Sequence, residues 1–167
     1  AGAALCNDAI LEPVDDGSGR LRALGDPTEG ALVVAAAQFG LLKAELERAL
    51  PRIAEVPFTS ERKRMTTVHR LPAPQEPQPD WLPDLGDGAA LVFTKGAVDT
   101  LLEASSQVWV DGRIEPLDDH WRRRIQAAND RLAQDGMRVL GVAYRLLEAP
   151  PDDDEGETLE RDLKSVV

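Results

Sequence analysis

The stretch Phe58-Thr59-Ser60-Glu61-Arg62-Lys63-Arg64 sets an aromatic ring and a triple basic cluster beside a tight turn. An aromatic face stacks on a nucleobase, and a neighbouring Lys or Arg attracts phosphate. The turn therefore has the chemistry of one wall of a purine-nucleotide site. The same residues also make an ordinary hairpin with a solvated, charged turn. Glu29 lies in the first turn of a helix opened by Asp26-Pro27, where it can accept hydrogen bonds from an exocyclic amine or simply belong to a well-capped start. Lys95 ends an apolar strand and is followed by Gly96, whose missing side chain lets a ligand approach the backbone. That pair reads as a pocket edge or as a surface lysine before a turn. Arg138 opens another apolar run, and a guanidinium there needs a carboxylate or phosphate partner.

Other chemistries find no foothold. His69 and His120 stand far apart in sequence with no partner at metal-ligand spacing, so both read as ordinary strand and helix residues. There is no Ser-His-Asp arrangement, Gly-x-Ser-x-Gly elbow or Cys/His cluster. Gly86-Asp87-Gly88 lacks the Gly-Lys-Ser or Gly-Lys-Thr that would make a phosphate loop.

Positioning those side chains falls to one domain of ordinary size, since 167 residues can bury a substantial core. Hydrophobic content of 43% with 29% charge describes a globular chain, not a disordered one. The net charge of -11 argues against broad nucleic-acid binding, which needs a basic face. It does not exclude a mononucleotide, which senses the local field of its own cleft. The second basic cluster, Arg122-Arg123-Arg124, is expected on a solvated helix face. No apolar run approaches the roughly 20 residues that span a bilayer. The opening residues lack the basic segment and apolar core of a signal peptide. The single Cys6 excludes an internal disulfide and fits a reducing compartment. An Ala-rich opening without Met reads as the start of an excised fragment.

Along the chain, residues 13–24 read as a turn or loop. A helix follows from Pro27, with Ala31, Leu32, Ala35 and Phe39 at helical spacing and Gly40 as its end. A short helix covers 42–50 and stops at Pro51. Ile53, Val56 and Phe58 form a strand into the basic turn, and Met65 to Arg70 the return strand. The Pro-rich stretch 72–88 is a loop within the domain. Residues 89–94 are a buried-type strand, 98–104 a short helix, and Asp111-Gly112 the turn of a hairpin. The longest helix covers 118–135, with Trp121, Ile125, Ala128 and Leu132 inward. Residues 137–144 read as a central strand, 152–155 as a solvated acidic loop, and 158–167 as a further element.

Taken together, Gly25-Asp26-Pro27-Thr28-Glu29-Gly30-Ala31-Leu32, Pro57 to Met65, Lys95-Gly96-Ala97 and Arg138 to Ala143 resemble the nucleotide-binding domain of P-type cation-transporting ATPases. They occur in the family's order, and Leu5-Cys6-Asn7-Asp8-Ala9 is similar to its opening segment. The resemblance covers nearly the whole chain and is closest to the calcium-pump branch. It implies an α+β fold, an antiparallel sheet flanked by helices. It also implies ATP as the ligand (Mg-ATP in the parent protein), with ADP binding the same site.

By the resemblance, Phe58 stacks on adenine and Lys63 faces the base and α-phosphate. Lys95, Gly96 and Ala97 line the opposite side of the pocket. Glu29, with Thr28 beside it, lies near the adenine amino group, Arg138 reaches the β-phosphate, and Leu140 packs on the base. Val98-Asp99 replace the family's usual Pro-Glu, so the turn after Lys95 is expected to be less rigid. The Asp-Lys-Thr-Gly-Thr phosphorylation motif and every membrane helix are absent. The resemblance thus implies one cytoplasmic domain of an ion pump, working with phosphorylation and actuator domains of the same parent chain and making no membrane contact itself. Alone, it is expected to bind ATP without hydrolysing it. The rival reading is a non-catalytic acidic interaction module that docks a carboxylate patch on the basic 60–64 turn.

Overall fold

Among the described residues, seven strands form one sheet in the order β3-β4-β5-β8-β9-β6-β7, antiparallel at every step except β6–β9, which is parallel. This is a computed structural model, and it describes residues 1–15, 17, 20–73, 89–151 and 158–166. The elements run α1 (Gly2–Leu5), β1 (Ile10–Pro13), β2 (Leu21–Leu24), α2 (Pro27–Gln38), α3 (Lys43–Ala49), β3 (Arg52–Thr59), β4 (Arg64–Arg70), β5 (Ala90–Gly96), α4 (Val98–Ala104), β6 (Ser105–Val110), β7 (Arg113–Pro116), α5 (Asp119–Gln134), β8 (Gly141–Leu147), a 3-10 turn (Thr158–Glu160) and β9 (Leu163–Val166). The expected α+β class, a mostly antiparallel sheet with helices against it, is the one found.

Directly paired residues of antiparallel strands share a face, and successive residues alternate. Met65, Lys95 and Val142 form one such row, and Thr67, Phe93 and Tyr144 another on the same side. That side packs under α1, α2 and α3: Met65, Leu91, Phe93 and Tyr144 cluster with Ala4, Leu5, Val33, Leu46 and Leu50. Each large apolar side chain buried there contributes roughly 1.5–3 kcal/mol. The opposite side carries Val68, Val92 and Ala143, covered by Leu159, Leu163 and the α4 residue Leu101. Behind α4, Val98 and Leu102 pack with Trp121 and Ile125 of α5.

Four expectations need correction. Residues 13–24 are not all loop, because β1 and β2 pair as a small antiparallel hairpin from Ile10↔Leu24 to Pro13↔Leu21. The α2 face read from Ala31, Ala35 and Phe39 points outward, with Phe39 83% exposed, while Gly30 and Val33 are the buried positions. The helix is apolar nearly all round, so spacing alone selects no face. The strand read from Met137 begins only at Gly141, because Val139 packs against the cluster of Val98, Leu102, Val108 and Leu117. Arg122 is not merely solvated: its guanidinium donates to the carbonyls of Leu102 (2.6 Å) and Ser105 (3.3 Å). Apart from its first two residues, the 72–88 loop lies outside the described residues, as does the 152–155 run.

Candidate functional site

Helix α2 begins with a well-made cap. The Asp26 carboxylate accepts the backbone N–H groups of Thr28 (2.8 Å) and Glu29 (3.2 Å), with Pro27 at the first helical position, a cap worth about 1 kcal/mol. The hydrogen bond from Glu29, then that from Thr28 and the charge of Arg138, hold the Asp26 carboxyl below its ordinary range against a smaller desolvation effect. Arg138, exposed on the segment before β8, therefore lies within electrostatic reach of the start of α2.

Glu29 points from this helix start towards the sheet. Its Oε1 accepts from the Lys95 Nζ at 2.6 Å, and its Oε2 from the Asp8 N–H at 3.0 Å. Lys95 is only 6% exposed, and an ammonium so buried needs a partner. Asn7 fixes the other half of the arrangement. Its Nδ2 donates to the carbonyls of Ala3 and Glu29, and its Oδ1 accepts from the Ala9 N–H. Its own carbonyl accepts from Lys43 Nζ (2.6 Å) and Arg52 Nη2 (2.7 Å). The N-terminal segment thus holds Glu29 by both backbone and carboxylate.

The second cluster is the β3–β4 turn. Lys63 adopts φ 51°, the left-handed region, which costs a non-glycine residue of order 1 kcal/mol. Backbone contacts hold it there: its N–H donates to the Thr59 carbonyl at 2.8 Å and its carbonyl accepts the Ala97 N–H at 3.0 Å. Gly96 makes this possible, since a Cβ there would fall 2.5 Å from the Lys63 carbonyl oxygen. Phe58 sits on the edge strand β3 inside an irregular register between Val56 and Thr59, with its side chain 57% exposed. The row Thr59–Arg64–Gly96–Gly141 marks this end of the sheet, so Phe58, Lys63, Lys95, Ala97 and Leu140 all lie at or beside it.

Among the described residues, hydrogen bonds join these candidates in two pairs, Glu29 with Lys95 and Lys63 with Ala97, and Gly96 packs closely on Lys63. Among the described residues, no hydrogen bond or ion pair ties the side chains of Arg138 or Thr28 to the Glu29–Lys95 pair. Leu140 is half-buried just ahead of β8, and Thr28 half-buried next to Glu29. The basic triplet divides. Arg62 and Arg64 both bind the buried Glu160, at 2.6 and 2.7 Å, while Lys63 remains exposed. The arrangement offers a ring for stacking, cations for phosphate and a carboxylate for an amine.

A family model matches residues 1–166, and its description is "P-type ATPase, cytoplasmic domain N". The chain belongs to this family. It is the domain family that binds nucleotide in P-type ATPases. The chain is 37% identical over 152 residues to the probable cation-transporting ATPase F of Mycobacterium tuberculosis, covering 90% of this chain and 14% of that protein. It is 33% identical over 141 residues to calcium-transporting ATPase 1 of Lactococcus lactis (84% of this chain, 14% of that protein). With the calcium-transporting ATPase of Bacillus subtilis it shares 35% identity over 146 residues, 87% of this chain and 14% of the relative. The chain spans about a seventh of the length of these relatives. No helix among the described residues is long and apolar enough to cross a membrane.

Sequence reasoning missed the roles of Asn7, Lys43, Arg52 and Glu160. Asn7 stood inside a segment noticed only for its likeness to the family. The arginine partners of Glu160 are 96 and 98 residues away in sequence, and no local pattern reports such a pairing.

Proposed function

We propose that this domain binds ATP at the end of the sheet and presents the γ-phosphate to a separate phosphorylation domain of a P-type cation-transporting ATPase. The observation that carries this reading is convergence. Segments distant in sequence (Glu29 on α2, Phe58 and Lys63 around the β3–β4 turn, Lys95 on β5 and Arg138 before β8) gather near the row Thr59–Arg64–Gly96–Gly141. In this reading Phe58 stacks on adenine, and Lys63 meets the base and the α-phosphate. Lys95, Gly96 and Ala97 form the far wall and Leu140 an apolar contact. Glu29, beside Thr28, takes the adenine amine, and Arg138 reaches the β-phosphate.

Stacking contributes about 1–3 kcal/mol and each charge-assisted hydrogen bond about 1.5–3 kcal/mol. Ordering costs offset much of that, which sets the dissociation constant on the order of 0.1–1 mM. Phosphoryl transfer needs an in-line nucleophile and Mg, and in the parent protein the phosphorylation domain supplies the nucleophile. This domain contributes positioning, and closure of the phosphorylation and actuator domains completes the site. The isolated chain accordingly binds ATP or ADP without hydrolysis. The rival reading, docking of a carboxylate patch on the 60–64 turn, is weakened because Arg62 and Arg64 already bind Glu160. Phe58→Ala tests the proposal: ATP affinity falls about tenfold or more with circular dichroism unchanged. ATP-induced NMR shifts equal to wild type would reject the assignment.

A further inference from the structure

The face of the sheet opposite Glu29 and Lys95 carries a buried carboxylate that the binding chemistry does not use. Glu160, at the end of the 3-10 turn before β9, is 4% exposed. Its Oε1 accepts from Arg62 Nη1 at 2.6 Å and from the Thr66 hydroxyl at 2.8 Å, and its Oε2 from Arg64 Nε at 2.7 Å. Thr66 in turn meets the Thr94 hydroxyl at 2.9 Å. Arg62 also donates to the Pro57 carbonyl, immediately before Phe58. The residues on both sides of Lys63 are therefore drawn to one acceptor beneath the sheet. A hollow of about 310 Å³, lined by Arg62, Arg64, Glu160 and Arg161, opens on that side.

We propose that Glu160 is a positioning residue for nucleotide binding, anchoring Arg62 and Arg64 from beneath so that Lys63 is turned out and Phe58 is held at the cleft. This rests on the ATP-binding reading above. The geometry supports it twice over. Arg62 lies in the turn and Arg64 opens β4, so the one carboxylate ties turn to strand across Lys63, whose own side chain stays exposed. The left-handed Lys63 backbone is a conformation that persists only where its surroundings over-determine it. Ala97 holds that backbone from one side, and the two arginines clamp its flanks from the other. A site whose supporting shell is loosened by about 1 Å loses much of its function without losing the contact residues.

The test compares ATP binding and stability in Glu160→Gln, with Thr94→Val as a control that disturbs the same buried cluster without touching the turn. Glu160→Gln is expected to weaken ATP about three- to tenfold, the range of measured couplings between contacting residues, and to shift the amide resonances of residues 60–63 before nucleotide is added. Thr94→Val lowers the urea midpoint but leaves ATP affinity within about twofold. In a Lys63→Ala background, Glu160→Gln loses most of its effect on binding while its effect on stability persists. Should Glu160→Gln fail to fold, Arg62→Met replaces it, because Glu160 then keeps Arg64 and Thr66. Wild-type affinity in Glu160→Gln, or an undiminished loss in the Lys63→Ala background, overturns the inference. Absence of any ATP response in the wild type would instead reject the reading on which it rests.

Discussion

The Lys95 ammonium lies 2.6 Å from the Glu29 carboxylate, joining the end of β5 to the first turn of α2. Both side chains are largely shielded from water, at 7% and 18% exposed. Before any ligand arrives, the pair neutralises a charge that would otherwise be stranded under the helix layer. Each group keeps capacity: Lys95 has three donors and each oxygen of Glu29 a further lone pair.

Breaking this pair from one side should be costly. Glu29→Gln leaves Lys95 without its counter-charge, and removal of one partner of a buried pair costs about 3–5 kcal/mol. The partial exposure of Glu29 reduces that to about 1–3 kcal/mol. Lys95→Met in the Glu29→Gln background should restore part of the loss. Urea denaturation of the four proteins gives the coupling directly, and additive effects would mean that the contact carries no energy.

Gly96 is set by space. Gly96→Ala puts a methyl group 2.5 Å from the Lys63 carbonyl oxygen and 2.8 Å from the Arg64 Cα, both backbone atoms. The turn must move, at about 1–3 kcal/mol, and the Ala97–Lys63 hydrogen bond lengthens. Denaturation reads the first effect, and an upfield shift of the Ala97 amide proton the second. An unperturbed Ala97 resonance would show that the close approach is not obligatory.

These two sites differ in how openly the sequence announced them. The start of α2 was legible because Asp26, Pro27 and Glu29 signal locally. So were the β3–β4 hairpin and the run into Lys95, each marked by apolar strands around a turn. The start of β8 was not, because Val139-Leu140-Gly141-Val142 runs on without a polar residue, and it is residues of other elements, Val98, Leu102, Val108 and Leu117, that take up Val139. The partners of Lys95 and Glu160 were hidden for a related reason. An ion pair between residues 66 or more positions apart depends on topology, not on local pattern.

Acid should weaken the fold through His69. Buried between the Leu50 carbonyl (2.9 Å) and the Thr67 hydroxyl (2.9 Å), its imidazole is pushed down to about 4 by desolvation first, with the Arg52 and Lys43 charges adding and the Leu50 hydrogen bond opposing. The folded state holds it neutral while the unfolded chain, titrating near 6.5, takes up a proton. Its contribution is complete above about pH 6.5, falls as pH drops towards 4, and amounts to at most about 3 kcal/mol. His69→Gln should flatten the pH dependence of stability across that window. An identical slope in wild type and variant would show that His69 titrates normally.

The central claim, one adenosine-sized site assembled at the sheet end, is tested most directly by mapping ATP-induced amide shifts across the whole chain. The largest changes are predicted at Phe58, Lys63, Lys95, Gly96, Ala97 and Arg138, all saturating with one midpoint on the order of 0.1–1 mM. Shifts confined to other surfaces, or none up to roughly 10 mM ATP, would contradict it.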